Sequence, residues 1–94
     1  MQVKWLSKAL QNLDDEANYI AHENPVAAVK MVLQIMATVE LLKDQPGMGS
    51  PGRIPGTREL IITGTRYLVP YRVKESQVEV LRIFHKSRKP PDSW

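Results

Sequence analysis

Polar and apolar residues alternate from Gln2 to Leu6, with Val3 and Trp5 on one side, a pattern that predicts a short strand. Beyond it Leu6, Leu10, Leu13, Ala17 and Ile20 recur at steps of four and three. That spacing lines one face of an amphipathic helix running to about Glu23, with Ser7 as N-cap and Asp14, Asp15 and Glu16 turned to water. Asn24-Pro25 sets an N-capping side chain before a proline at the first helical position, so one helix ends and the next begins almost without a loop. Two helices joined this tightly form an antiparallel hairpin. The second helix, Pro25 to about Asp44, carries the stripe Ala28, Val32, Ile35, Val39 and Leu42, which Val29, Leu33, Met36 and Ala37 widen until only a narrow polar strip is left near Lys30, Gln34 and Thr38. One neighbour cannot satisfy so broad an arc. Either the helix is sandwiched between its partner and a sheet, or part of the arc awaits another protein, with Met31 and Met36 as an adaptable surface.

Gln45 to Pro55 holds three Pro and three Gly and is too punctuated for a regular element. Arg58–Ile62, Arg66–Val73 and Val78–Phe84 then read as strands, separated by turns at Thr63-Gly64-Thr65 and Lys74–Gln77, which makes an antiparallel meander. Pro70 lacks a ladder donor, so it predicts a bulge or a nitrogen pointing off the ladder. Tyr67, Val69, Tyr71 and Val73 share one face of their strand; Val78, Val80, Arg82 and Phe84 oppose Glu79, Leu81, Ile83 and His85 on the next. The expected fold is α+β, in the order β-α-α-β-β-β, with a helical hairpin on one face of a small, mainly antiparallel sheet whose other face is largely uncovered. Residues 87–94 form an expected basic, flexible tail.

Ninety-four residues with 43% apolar content suit one domain, residues 1–94, with a thin stability margin. Met1–Lys8 lacks the flank and apolar stretch of a signal peptide and no run of 18 apolar residues occurs, so a cytoplasmic protein with no membrane partner is expected. The absence of cysteine excludes disulfides, thiolate zinc sites and a cysteine nucleophile. His22 and His85 are too few for a metal site, His22 suits the helix dipole, and no cofactor is expected. Charge is uneven: residues 1–52 carry four Lys or Arg against six acids, whereas residues 53–94 carry nine against four. The second half therefore displays an Arg-rich surface suited to anionic or acidic partners.

Metal-free cleavage of RNA needs a proton acceptor, a proton donor and cations for the developing phosphorane charge. His85, Tyr71 or Tyr67, and Arg72, Arg82 or Arg88 have the chemistry for those roles, although such residues occur together by chance in many basic domains. Gly47, Gly49 and Gly52 lack the Lys-Ser/Thr of a phosphate loop, and neither helix has the basic face of a DNA-reading helix.

Over nearly its whole length the chain resembles the RelE/ParE superfamily, the toxins of type II toxin–antitoxin pairs. The resemblance rests on the element order, Trp5-Leu6 with Ala9 and Leu13 downstream, Gly56-Thr57-Arg58-Glu59-Leu60, Tyr67-x-x-x-Tyr71-Arg72-Val73, and Val80-Leu81-Arg82-Ile83-Phe84-His85 followed by Arg88. RelE-like members are ribosome-dependent mRNA endoribonucleases. Where that branch has strand lysines this chain has Glu59 and Ile61, and Leu68 replaces its arginine. Gly-Thr-Arg-Glu and Tyr-Arg-Val instead resemble the ParE branch, whose members poison DNA gyrase by protein contact and are not enzymes. His85, Lys86, Arg88 and Trp94 are similar to ribosome-dependent nucleases that use a histidine and a late aromatic residue.

The resemblance implies a gyrase inhibitor that contacts its target through Arg58, Arg72, Arg82, His85, Lys86 and Arg88. Its alternatives are a nuclease using His85, Arg88, Arg82 and Tyr71, and a degenerate, non-toxic binding module. Each has a cognate antitoxin as partner, whose amphipathic helix would lie on Leu10, Leu13, Ile20, Val29, Leu33 and Met36, with a possible added strand. Acidic antitoxin residues would neutralise the basic end, and DNA would be met only through the antitoxin.

Overall fold

The computed structural model describes residues 1–86, so Ser87–Trp94, including Arg88, Lys89 and Trp94, lie outside the described residues. β1 is Gln2–Trp5, α1 Ser7–Ala21 and α2 Pro25–Glu40, the last extended by a 3₁₀ turn at Leu41–Lys43. β2 is Ser50–Pro51, β3 Arg58–Ile61, β4 Tyr67–Lys74, β5 Gln77–Val80 and β6 Phe84–His85. The strands form one mixed sheet in the order β1-β5-β4-β3-β2, with β6 also paired to β4. β1 runs parallel to β5, Val3 facing Val78 and Trp5 facing Val80, and the other pairs are antiparallel.

The helix boundaries show local chemistry at work. Ser7 is the first residue of α1 rather than its cap; Leu6, in extended backbone with no capping side chain, holds that place. At the second helix the expected device is present: Asn24 Oδ1 accepts the Ala27 N–H at 3.0 Å, with Pro25 following at the first position. In α1 the inward stripe is Ala9, Leu13 and Glu16, with Ala17 and Ile20 packed beside it, and Leu10 is exposed. The face is thus rotated from the Leu6-Leu10 line because small Ala9 lets the helix approach the sheet. Glu16, expected in water, is 9% exposed.

α2 buries Ala28, Met31, Ile35 and Val39, continued by Leu42 of the 3₁₀ turn. Met31 is therefore core and not a docking surface. By length and composition Pro25–Lys43 could cross a membrane, with mean hydropathy 1.6, but this stripe is packed on the sheet. The helix does pack between α1 and the sheet, but these two neighbours leave part of its arc uncovered: Val29, Leu33 and Met36 on its outer side remain 59%, 62% and 48% exposed. Ile35, Leu42, Ile62, Val69, Tyr71, Val78 and Val80 make the dry centre between hairpin and sheet. Each such side chain contributes roughly 1.5–3 kcal/mol.

Pro70 changes the last strand. On its β3 side β4 pairs continuously, from Arg58 with Tyr71 to Ile61 with Leu68. On the other side Tyr71 faces Val80 while Leu68 faces Phe84, so Leu81, Arg82 and Ile83 stand opposite only Val69 and Pro70. The extra residue is a β-bulge. Leu81 N–H donates to Pro70 O at 2.9 Å, which puts the donor-less proline nitrogen on the bulged side as well. The single strand expected over Val78–Phe84 is consequently two, β5 and β6. The bulge also shifts the alternation, so Ile83 and His85, not Arg82 and Phe84, continue the helix-facing side of Val78 and Val80. Leu68 and Pro70, on the face expected to be open, are buried.

Candidate interaction surfaces

Most of the basic side chains of the sheet named from the sequence have intramolecular partners. Arg58 turns its guanidinium onto the Gly47–Gly49 loop, Nε donating to Gly49 O at 2.9 Å and Nη2 to Gly47 O at 3.1 Å. Arg72 Nε donates to Glu79 Oε1 at 2.6 Å across the β4–β5 ladder. That hydrogen bond, with the charge of Arg72 behind it, holds the Glu79 carboxyl below the usual carboxylate range. Arg82 Nε donates to Asn12 Oδ1 of α1 at 2.8 Å, and its guanidinium carbon lies 5.1 Å from the Phe84 ring centroid. Lys86 is exposed, its backbone N–H donating to Arg66 O. Arg88 lies outside the described residues.

The aromatic candidates are held more firmly still. Tyr71 is fully buried, its hydroxyl donating to Pro46 O at 2.7 Å and accepting Gly49 N–H at 2.9 Å. A Cβ on Gly49 would stand 2.8 Å from Tyr71 Cε1 and from Glu59 O, so only glycine lets the loop pass this close. Tyr71 and Arg58 together fasten the punctuated loop to the sheet. The loop also contributes β2, a two-residue edge strand beside Glu59 and Arg58 that its proline and glycine content concealed. Tyr67 donates to Glu16 Oε1 and meets His85 edge-on.

The positions where cations would serve a nuclease are occupied otherwise. Glu59 accepts from Arg53 N and Nε at 3.0 and 3.1 Å, Ile61 is exposed, and Leu68 is buried.

The second surface is the outside of the hairpin. Between α1 and α2 runs an apolar groove of about 350 Å³, its α1 side formed by Ala17, Asn18 and Ala21 and its α2 side by Pro25, Ala28, Val29, Val32 and Leu33. The small residues make a low floor, and Val29 and Leu33 stand as exposed walls. Leu10, Val29, Leu33 and Met36 of the expected docking set are exposed, and Ile20 is half-buried against the core. Leu13 is buried and leaves the set, since it cannot reach a partner without unfolding the hairpin. Exposed Val26, two turns before Leu33 on the same face of α2, extends the wall, whereas exposed Tyr19 lies on the flank of α1 away from the groove. The signal for Val26 is its helical spacing from Val29 and Leu33.

Comparison with known proteins places these features in a family. The model of the ParE toxin of the type II toxin–antitoxin system parDE matches residues 3–90. Toxin Y4kP of Sinorhizobium fredii is 37% identical over 90 residues, covering 96% of this chain and 93% of that protein. Toxin RelE2 of Caulobacter vibrioides is 31% identical over 87 residues, covering 93% and 97%. Among solved structures, the chromosomal ParDE system of P. aeruginosa superposes with a TM-score of 0.84 at 32% identity, covering 90% of this chain and 95% of that one. The RelBE2 complex of Mycobacterium tuberculosis, at 22% identity and a TM-score of 0.62 over 89% and 95%, shares the fold.

Proposed function

Because the chain belongs to the ParE toxin family of type II toxin–antitoxin systems, we propose that it arrests growth by binding DNA gyrase, without catalysis of its own, and that a cognate antitoxin neutralises it. The observation that carries this reading is the engagement of the would-be catalytic groups inside the fold. Tyr71 is sealed against the Gly49 loop, Arg72 is paired with Glu79, Arg82 is tied to Asn12, and no cation stands at Glu59, Ile61 or Leu68. Such a sheet end retains a positive field for an acidic protein surface, while Tyr71 and Arg72 are committed to partners within the fold rather than to phosphoryl chemistry. Lys86 and the accessible parts of Arg72, Arg82 and His85 form the proposed target contact, to which Arg88, outside the described residues, is assigned from the sequence alone. Arg58, turned onto its loop, acts there through the loop's position.

The antitoxin lays an amphipathic helix along the hairpin groove, with apolar anchors against Val29, Leu33, Met36 and Leu10.

Purified protein is added to a gyrase supercoiling reaction and, from the same preparation, to a translating extract in which mRNA cleavage is mapped. Loss of supercoiling with intact mRNA is expected. Unaffected gyrase at growth-arresting concentrations sinks the reading. A ribosome-dependent nuclease is the second reading, favoured by the packing of His85 on Tyr67 and by the name of the Caulobacter relative. It requires codon-mapped cleavage that His85→Ala abolishes. Expression with no effect on growth would point to a binding module.

A further inference from the structure

A polar concavity of about 240 Å³ opens where the first two turns of α1 cross the bulge between β5 and β6, lined by Lys8, Gln11, Asn12 and Arg82. Its parts are pre-set. Asn12 Oδ1 accepts two hydrogen bonds, from Arg82 Nε at 2.8 Å and from Ile83 N at 3.1 Å. Both acceptor positions being used, Asn12 has only its Nδ2 protons left to offer. Arg82 is held at Nε by Asn12 and across its face by Phe84, so its guanidinium is fixed in direction while half-buried. Among the described residues its terminal nitrogens have no hydrogen-bond or ion-pair partner, and Lys8 makes no ion pair. Gln11 donates Nε2 to Asp15 Oδ1 at 2.8 Å, and Asp15 bridges to neither cation. Two cations and an amide donor thus line one small concavity, already oriented, with the oxyanion that would complete them supplied from outside.

We propose that this concavity is a receptor for the carboxylate of one acidic side chain on a protein partner. The planar fork of Arg82 matches a carboxylate, with Lys8 adding charge and Asn12 a third donor. The volume is below the roughly 300–1,000 Å³ of small-molecule sites, which suits a side chain rather than a nucleotide. The surroundings favour a protein over a nucleic acid: Asp14 and Asp15 follow on the next turn of α1, exposed, where a phosphate backbone leaving the pocket along the helix would meet them. A lone carboxylate on an otherwise neutral segment meets no such repulsion. The proposal holds whichever protein supplies the segment and does not depend on gyrase being the target.

The test is a titration of the full ¹⁵N-labelled chain, followed at the Arg82 Nε–H and Asn12 Nδ2–H resonances, with an acetylated and amidated Gly-Gly-Glu-Gly-Gly peptide in one arm and a ten-nucleotide single-stranded DNA in the other. The peptide should shift both resonances saturably, and exposed Lys8→Gln, which leaves the fold alone, should weaken it by about tenfold, as loss of one charged partner does. Arg82→Lys, which keeps charge but loses the fork, should weaken it as well. Failure of the peptide to saturate these resonances overturns the proposal, as does an unchanged affinity in Lys8→Gln. Saturation by the oligonucleotide at lower concentration than the peptide would make the pocket a phosphate site and equally overturn it.

Discussion

Tyr67 donates its phenolic proton to Glu16 Oε1 across 3.2 Å, while the edge of its ring meets His85 with centroids 5.2 Å apart and planes at 89°. Helix α1 and the last strand are thereby joined through one side chain. Tyr67→Phe keeps the ring contact but removes a donor from a buried carboxylate. It should cost about 1–2 kcal/mol in a urea unfolding measurement. An unchanged midpoint would mean that the Glu16 bond contributes nothing.

Gly49→Ala sets a methyl group against Tyr71 and the Glu59 carbonyl, and neither buried ring nor strand backbone can yield cheaply. The expected loss is about 1–3 kcal/mol, in the range for overpacked sites. Tyr71→Phe, which leaves Pro46 O and Gly49 N–H without their shared hydroxyl, should lose a comparable amount. Protease cleavage within 45–55 should accelerate in both variants. Cleavage at the wild-type rate would show that the loop is fastened by other contacts.

Leu33→Glu and Met36→Glu place charge on the exposed hairpin wall, so thermal unfolding should hardly move. Affinity for the antitoxin should fall by about tenfold to a hundredfold, the range for a central apolar anchor. Leu13→Glu, on the inward face of the same hairpin, should instead unfold the protein. Undiminished affinity in both outer variants would place the antitoxin elsewhere.

The Arg72–Glu79 pair gives stability a specific pH dependence. With its pKa lowered in the fold, Glu79 binds fewer protons there than in the unfolded chain. Its contribution is complete above the ordinary glutamate value of about 4.3 and disappears as pH falls through the lower folded value. Between neutral pH and the acid side of that window, wild type should lose more stability than Glu79→Gln. Parallel pH profiles for the two proteins would contradict the assignment.

The β4–β5 turn places Glu75 and Ser76 at φ of 53° and 62°, a left-handed pair suited to asparagine and glycine. Glu75→Asn combined with Ser76→Gly should stabilise the protein by about 1 kcal/mol in calorimetry or denaturant unfolding. A destabilised double variant would show that Glu75 or Ser76 makes contributions that outweigh the strain.

What could be read in the sequence was what is chemically local. Asn24-Pro25 contains its own cap and its own proline, so the hairpin corner needed no distant information. The bulge was only half legible: Pro70 announces a broken ladder, but both faces of Val78–Phe84 carry apolar residues, and nothing local says where the extra residue falls. Glu16 was hidden by Asp14 and Asp15 beside it, although its spacing from Ala9 and Leu13 lies on the inward stripe. Arg58 and Arg72 looked like free charge because their partners, loop carbonyls and a cross-strand glutamate, are defined only once the chain is folded.

The parallel pairing of β1 with β5 has a kinetic meaning. Val3 has no strand to lie against until Val78 has been made, so during synthesis the first strand waits while the hairpin, whose contacts are near in sequence, assembles. The residues that line the groove between α1 and α2 are therefore all made before those of the basic sheet end. In order of birth, the hairpin groove proposed for the antitoxin precedes the sheet end proposed for the target.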